Sequence, residues 1–223
     1  MQDVPPPRCS TSCVRVKLFS ISRCGTSVQS RGTSCKTDIM KDYRQNMEAQ
    51  KFYHVFNRGI NSEQIFKCES NYFFFMRRCK EILPESMHVF AYCLMPTHFH
   101  LLVKIKENTK PAESFRRLFT SYSKAINNQE RRHGGLFEKP FRRLHVDSES
   151  YLRQVVLYIH RNPIHHGIKK KPEDWEFSSF SDILNNKPAF ENIFDTVDWF
   201  ENRDNFFYCH KQEIMHYHDI DIE

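Results

Sequence analysis

The chain has 223 residues, with 33 Lys plus Arg against 27 Asp plus Glu, 20 Phe and 14% aromatic residues. That is enough for one domain of ordinary size, with a sizeable core and flanking tails. No apolar run approaches the ~20 residues a membrane span needs. The formal charge of +6 permits a polyanionic partner without requiring one. None of the eight cysteines stands in Cys-x-x-Cys spacing, so a zinc ribbon is excluded. Cys68, Cys79 and Cys93 lie in apolar segments and read as buried free thiols in a reducing compartment.

Residues 1–46 carry Pro5-Pro6-Pro7, many Ser and Thr, scattered Arg and almost no hydrophobic periodicity. They read as a disordered and dispensable leader, with the folded part expected from residue 47. Phe52-Tyr53-His54-Val55-Phe56 is a good strand, closed by Asn57-Arg58-Gly59. Residues 69–83 have apolar positions at helical spacing and end at Pro84. Residues 88–95 and 98–105 read as two strands joined by a two-residue turn at Pro96-Thr97, a hairpin. Residues 112–132 form a long amphipathic helix ending at His133-Gly134-Gly135. Residues 136–146 mix basic and aromatic side chains and hold a loop and a last strand. Asp147-Ser148 caps a helix over 149–160, which Pro163 is expected to stop near Asn162. Residues 183–223 form an aromatic and acidic tail. The order predicts an α+β fold: a ferredoxin-like βαββαβ antiparallel sheet with helices on one face and an added C-terminal helix.

The chemistry concentrates at Pro96-Thr97-His98-Phe99-His100. In a strand, side chains alternate between faces, so His98 and His100 point the same way, about 7 Å apart along the backbone. Two imidazoles so placed can close on one metal ion, or be two histidines on a half-exposed strand. On the later helix, Tyr158 and Asn162 are four apart and share a face. A tyrosine hydroxyl is a nucleophile once its ionisation is eased, and an amide oxygen suits a hard divalent cation. Without the histidines, these two would be an interfacial aromatic and a helix cap. Tyr122, a rival nucleophile by type, lies in the apolar stripe of the long helix and is expected in the core. His160, His165 and His166 are expected to face solvent or phosphate.

Pro96-Thr97-His98-Phe99-His100 followed by an apolar strand resembles the His-hydrophobe-His motif of the HUH endonuclease superfamily. Residues 158–167, from Tyr158 through Asn162-Pro163 to Gly167, resemble the tyrosine motif of single-tyrosine transposases, closest to the REP-associated tyrosine transposases and their insertion-sequence relatives. Tyr53-His54-Val55 with Asn57-Arg58-Gly59, the segment Gly135 to Arg142, and Asp174-Trp175-Glu176-Phe177-Ser178-Ser179-Phe180 match the same family in order. The resemblance covers about residues 50–182 and assigns a transposase domain to 47–182. Phe137 stands where many relatives have Trp, and Lys139-Pro140 is less usual.

The resemblance implies a transposase acting as a single-strand DNA endonuclease and ligase. His98, His100 and Asn162 are then ligands of Mg²⁺ or Mn²⁺. Tyr158 is the nucleophile, giving a 5′-phosphotyrosine and a free 3′-hydroxyl that later rejoin. The expected substrate is hairpin-flanked single-stranded DNA, with Arg58, Arg116, Arg117, Arg131, Arg132, Arg142, Arg143, Arg161 and Phe137 as candidate contacts. It implies a cytoplasmic, nucleoid-associated protein without a membrane partner, as a monomer or a homodimer. The alternative is a domesticated nucleic-acid-binding module on the same fold, without catalysis.

Overall fold

The computed structural model describes Tyr43 and residues 45–212. Most of the 1–46 leader reading, and the end of the tail, lie outside the described residues. The elements run β1 (Phe52–Arg58), α1 (Glu69–Ile82), β2 (Met87–Leu94), β3 (His98–Ile105), α2 (Pro111–Glu130), β4 (Arg142–Val146) and α3 (Glu149–His165). Three short helices follow, α4 (Ser179–Asn185), α5 (Asp195–Asp198) and α6 (Arg203–Lys211). The strands pair antiparallel in the order β2-β3-β1-β4. This is the expected βαββαβ arrangement, with β3 inserted between β1 and β2. No helix of the described residues is long and apolar enough to cross a membrane.

The two faces of β3 have different occupants, as its side-chain alternation requires. Phe99 packs against Phe75 of α1 and Phe119 of α2. Phe75, Phe99, Phe115 and Tyr122 are fully buried there, each burial contributing about 1.5–3 kcal/mol. Tyr122 donates its hydroxyl to the carbonyl of Ile65 at 2.7 Å and is a core residue, as expected. His98 and His100 face the other way, toward α3.

The β2-β3 turn is held from both sides. Met95 and His98 exchange backbone hydrogen bonds of 2.8 and 3.3 Å around Pro96-Thr97. The Pro96 carbonyl also accepts from the N–H groups of Ile65 and Phe66, and the Thr97 carbonyl accepts from Gly59.

Two features differ from the sequence expectation. Helix α3 does not stop near Asn162 but runs through Pro163 to His165. Proline removes one N–H and crowds the carbonyl four residues back. Here the Pro163 carbonyl accepts from Ile168 and Lys169, and the Asn162 carbonyl from His166, so the following turn closes the end. His160 does not face solvent or phosphate: it is fully buried, against the tail. Residues after 182 join the same core, with Ile183, Ile193, Phe200 and Phe206 buried.

The contact between α3 and α6 is a polar chain inside that core. His210 Nδ1–H donates to the Phe206 carbonyl at 2.7 Å, leaving Nε2 to accept from His160 Nδ1–H at 2.8 Å. His160 Nε2 then accepts from the Ser179 hydroxyl at 2.6 Å. The order of donors follows from the carbonyl, which can only accept. Burial pushes His210 down to about 4 and His160 well below its ordinary value. Below pH 6.5 the unfolded chain takes up protons that the folded chain refuses. Stability is therefore complete above pH 6.5 and lost as pH falls toward 4, by on the order of 3 kcal/mol for His210 alone. Urea unfolding at pH 7 and pH 4.5 reads this loss, and equal midpoints would contradict it.

Candidate active site

The hairpin and α3 meet in one chain. His98 Nε2 lies 3.0 Å from Asn162 Oδ1. The Asn162 amide nitrogen donates to the Tyr158 carbonyl one turn back at 3.3 Å, which turns its oxygen toward His98. The rings of His98 and His100 are 5.1 Å apart and nearly perpendicular. The Tyr158 ring stands edge-on to His100 at 5.4 Å and close to His165 at 5.9 Å. All four side chains are buried or nearly so. The register that places Tyr158 and Asn162 four apart on α3 thus delivers both to the face of β3 that carries the histidines.

Two histidines differ in how their protons are fixed. His98 Nδ1 is 2.9 Å from the Thr97 hydroxyl, which can donate or accept. His98 can therefore change tautomer without losing that bond. His100 Nδ1 is 3.0 Å from Nε2 of His54 on β1, a residue fully buried beside it. Burial pushes His54 down to about 3. His100 is held well below its ordinary value, first by burial and then by His98, His54 and His166 around it. His54 and His100 are therefore neutral near pH 7.

His100 Nε2 is buried without a hydrogen-bond partner. Buried polar atoms are nearly always paired, so such an orphan calls for a physical explanation. Together with His98 Nε2 and Asn162 Oδ1 it makes a donor set of two imidazoles and one amide oxygen, which fits a divalent cation. No group of three His, Cys, Asp or Glu side chains with ligand placement occurs among the described residues. The set therefore depends on Asn162 as its third member.

A cavity of about 230 Å³ opens onto the histidines, lined also by Phe56, Asn57, Thr97, Arg58, Arg142, Glu138 and His166. Glu138 spans its mouth, accepting from Arg58 at 2.7 Å and from Arg142 at 3.4 Å. A larger groove of about 1180 Å³ runs between α2 and residues 131–141 and shares Asn57 and Glu138 with the smaller cavity. Arg116, Lys124, Arg131, Arg132 and Lys139 line it, with Phe119 and Phe141 half-buried in its wall. Arg131 and Arg132, both candidates from the sequence, thus line the groove, whereas sequence reasoning missed Lys124 and Lys139.

The predicted DNA contacts are scattered by the fold. Arg58 and Arg142 reach the cavity, Arg116 and Phe137 the groove. Phe137 is largely buried against Phe99, Phe119 and Tyr122. Arg143, next to Arg142 on β4, points to the opposite face, over Phe141 and onto the Gln45 carbonyl. Arg117 pairs with Glu85, and Arg161 donates to the carbonyls of His210 and Gln212 at the end of α6. Arg117, Arg143 and Arg161 therefore do not line the cavity or the groove, although Arg143 stacks on Phe141 of the groove wall.

The antiparallel βαββαβ sheet thus carries, on one face, a hairpin histidine pair that meets a tyrosine-bearing helix. The family model described as "Transposase IS200 like" matches residues 48–162, and the chain belongs to that family. A REP-associated tyrosine transposase solved bound to a REP hairpin has the same fold, with a TM-score of 0.56 at 17% identity, over 68% of this chain and 90% of that one. A Haemophilus influenzae protein named as a REP-associated tyrosine transposase is 29% identical over 100 residues, 40% of this chain. That match spans 57% of the relative's length.

Proposed function

We propose that this protein cuts and rejoins hairpin-flanked single-stranded DNA by transesterification. The observation that carries the reading is the meeting of His98 with Asn162, beside the unpartnered Nε2 of His100. His98, His100 and Asn162 would hold Mg²⁺ or Mn²⁺, which supplies a Lewis acid for a non-bridging phosphate oxygen. Tyr158 Oη attacks phosphorus. The new bond is Tyr158 Oη–P and the broken one is P–O3′, with the phenolic proton lost and a proton taken up by the departing 3′-oxygen. The 5′-phosphotyrosine keeps the phosphodiester energy, so a 3′-hydroxyl reverses the step and releases Tyr158. The burial around Tyr158 and His100 limits water as a competing acceptor.

Support for a DNA partner comes from the groove, whose cations and half-buried aromatics suit a stacked polyanionic strand. Arg58 and Arg142 would contact phosphate at the cavity, and Arg116 farther along. A DNA substrate also implies a cytoplasmic, nucleoid-associated setting. The meeting of hairpin and helix within one chain supports a site completed in cis.

Two measurements test this. Wild-type protein incubated with Mn²⁺ and a single-stranded hairpin from its own flanking DNA is expected to give a covalent adduct on a denaturing gel. Absence of adduct would leave the binding module without catalysis. Replacing Lys124, Arg131 and Lys139 together with Ala is expected to lower the salt slope of single-strand binding by about 2, at roughly 0.7 per phosphate contact. An unchanged slope would move the strand out of this groove.

A further inference from the structure

The His54–His100 contact has a consequence for the ion-binding reading of His98, His100 and Asn162, on which it rests. His54 Nε2 and His100 Nδ1 are 3.0 Å apart, and only one hydrogen can lie between them. In one arrangement His54 Nε2–H donates to His100 Nδ1. The proton of His100 then sits on Nε2 and faces the site, where it blocks a cation. In the other, His100 Nδ1–H donates to His54 Nε2, and His100 Nε2 offers its lone pair. The two arrangements differ only in which ring carries which tautomer, since a neutral imidazole has one donor and one acceptor nitrogen.

We infer that His54 is a positioning residue that accepts the Nδ1 proton of His100 and so presents His100 Nε2 as a ligand. His54 is itself no ligand of that ion: its Nε2 faces the back of His100, and its Nδ1 is buried with no partner. Its ring is held by Phe56 at 5.1 Å and by Tyr158 at 5.8 Å. It therefore cannot swing away from the contact without disturbing the tyrosine. An outer hydrogen bond of this kind fixes the ring orientation of a ligating histidine and raises its basicity. The selected arrangement leaves His54 with its proton on Nδ1, a buried N–H without an acceptor. That orphan is explained if the contact serves the site rather than the core. Strand pairing alone brings it about, because β1 places His54 opposite Leu102 and Phe56 opposite His100 on the shared face.

The test uses Mn²⁺ alone, without DNA, and the full chain. Free Mn²⁺ read by electron paramagnetic resonance gives the affinity of wild type, His54→Leu and His54→Gln. His54→Leu keeps an apolar filling of the site but offers no acceptor. It is expected to bind Mn²⁺ 10–100-fold more weakly, the usual cost of losing an outer partner. His54→Gln places an amide oxygen near the lost nitrogen and is expected to recover most of that loss. In Mg²⁺-saturated wild type, long-range ¹H–¹⁵N spectra of the imidazoles should show His54 protonated on Nδ1 and bare on Nε2. Failure of wild type to bind Mn²⁺ would overturn the ion-binding reading itself, and this inference with it. Wild-type binding matched by His54→Leu, no recovery in His54→Gln, or a His54 proton on Nε2 would each overturn the inference while leaving that reading intact.

Discussion

Tyr158→Phe is expected to abolish the covalent DNA adduct, by more than about 10³-fold, in line with the large losses that follow removal of a nucleophile. The substitution separates chemistry from folding because of where the ring lies. Tyr158 is buried, and its ring contacts to His54, His100 and His165 all survive in phenylalanine. The melting temperature, Mn²⁺ affinity and single-strand affinity should therefore stay close to wild type while the adduct disappears. Persistence of the adduct would refute the assignment of the nucleophile. Tyr122 could not take over, since burial holds its hydroxyl well above the ordinary phenol range and its proton is committed to Ile65.

His100→Ala is expected to weaken Mn²⁺ binding by more than 100-fold and to remove the adduct. It deletes a proposed ligand outright, and the loss should exceed the 10–100-fold typical of an outer partner. Two opposed terms act on the fold. The unpaired Nε2 is relieved, while His54 Nε2 loses its partner and a cavity opens between Phe56 and Tyr158. The net cost should be about 1–3 kcal/mol, below that of emptying a fully apolar site. Asn162→Ala should lose less affinity than His100→Ala, since one amide oxygen is a weaker donor than an imidazole for a borderline ion. Titration of Mn²⁺ against the three proteins gives the order. An Asn162→Ala protein indistinguishable from wild type would remove Asn162 from the ligand set.

Much of this was legible in the chain because the signals are local. The hairpin follows from two apolar runs around Pro96-Thr97, and alternation alone puts His98 and His100 on one face. The four-residue spacing of Tyr158 and Asn162 likewise needs only the helical period. What was hidden depends on pairing over long separations. His54 joins the site only through the register of β1 against β3. His160 turns inward because α6, some fifty residues later, carries a histidine to meet it. Arg142 and Arg143 could not be told apart until β4 was placed on the sheet edge. The proline rule failed at Pro163 because the chain beyond it supplies the hydrogen bonds that close the last turn.

The Pro96-Thr97 turn bears on the kinetics of the proposed ion capture. Its carbonyls are already engaged by Gly59, Ile65 and Phe66, so the loop that carries His98 has no closure left to perform. The ordering entropy of that loop is settled when the protein folds. Capture should then be a single fast phase limited by dehydration of the ion and the tautomer change at His98, with no slow isomerisation ahead of it. The same rigidity makes the hairpin a fixed reference, so a rearrangement that exchanges one DNA end for another would have to come from the side of α3.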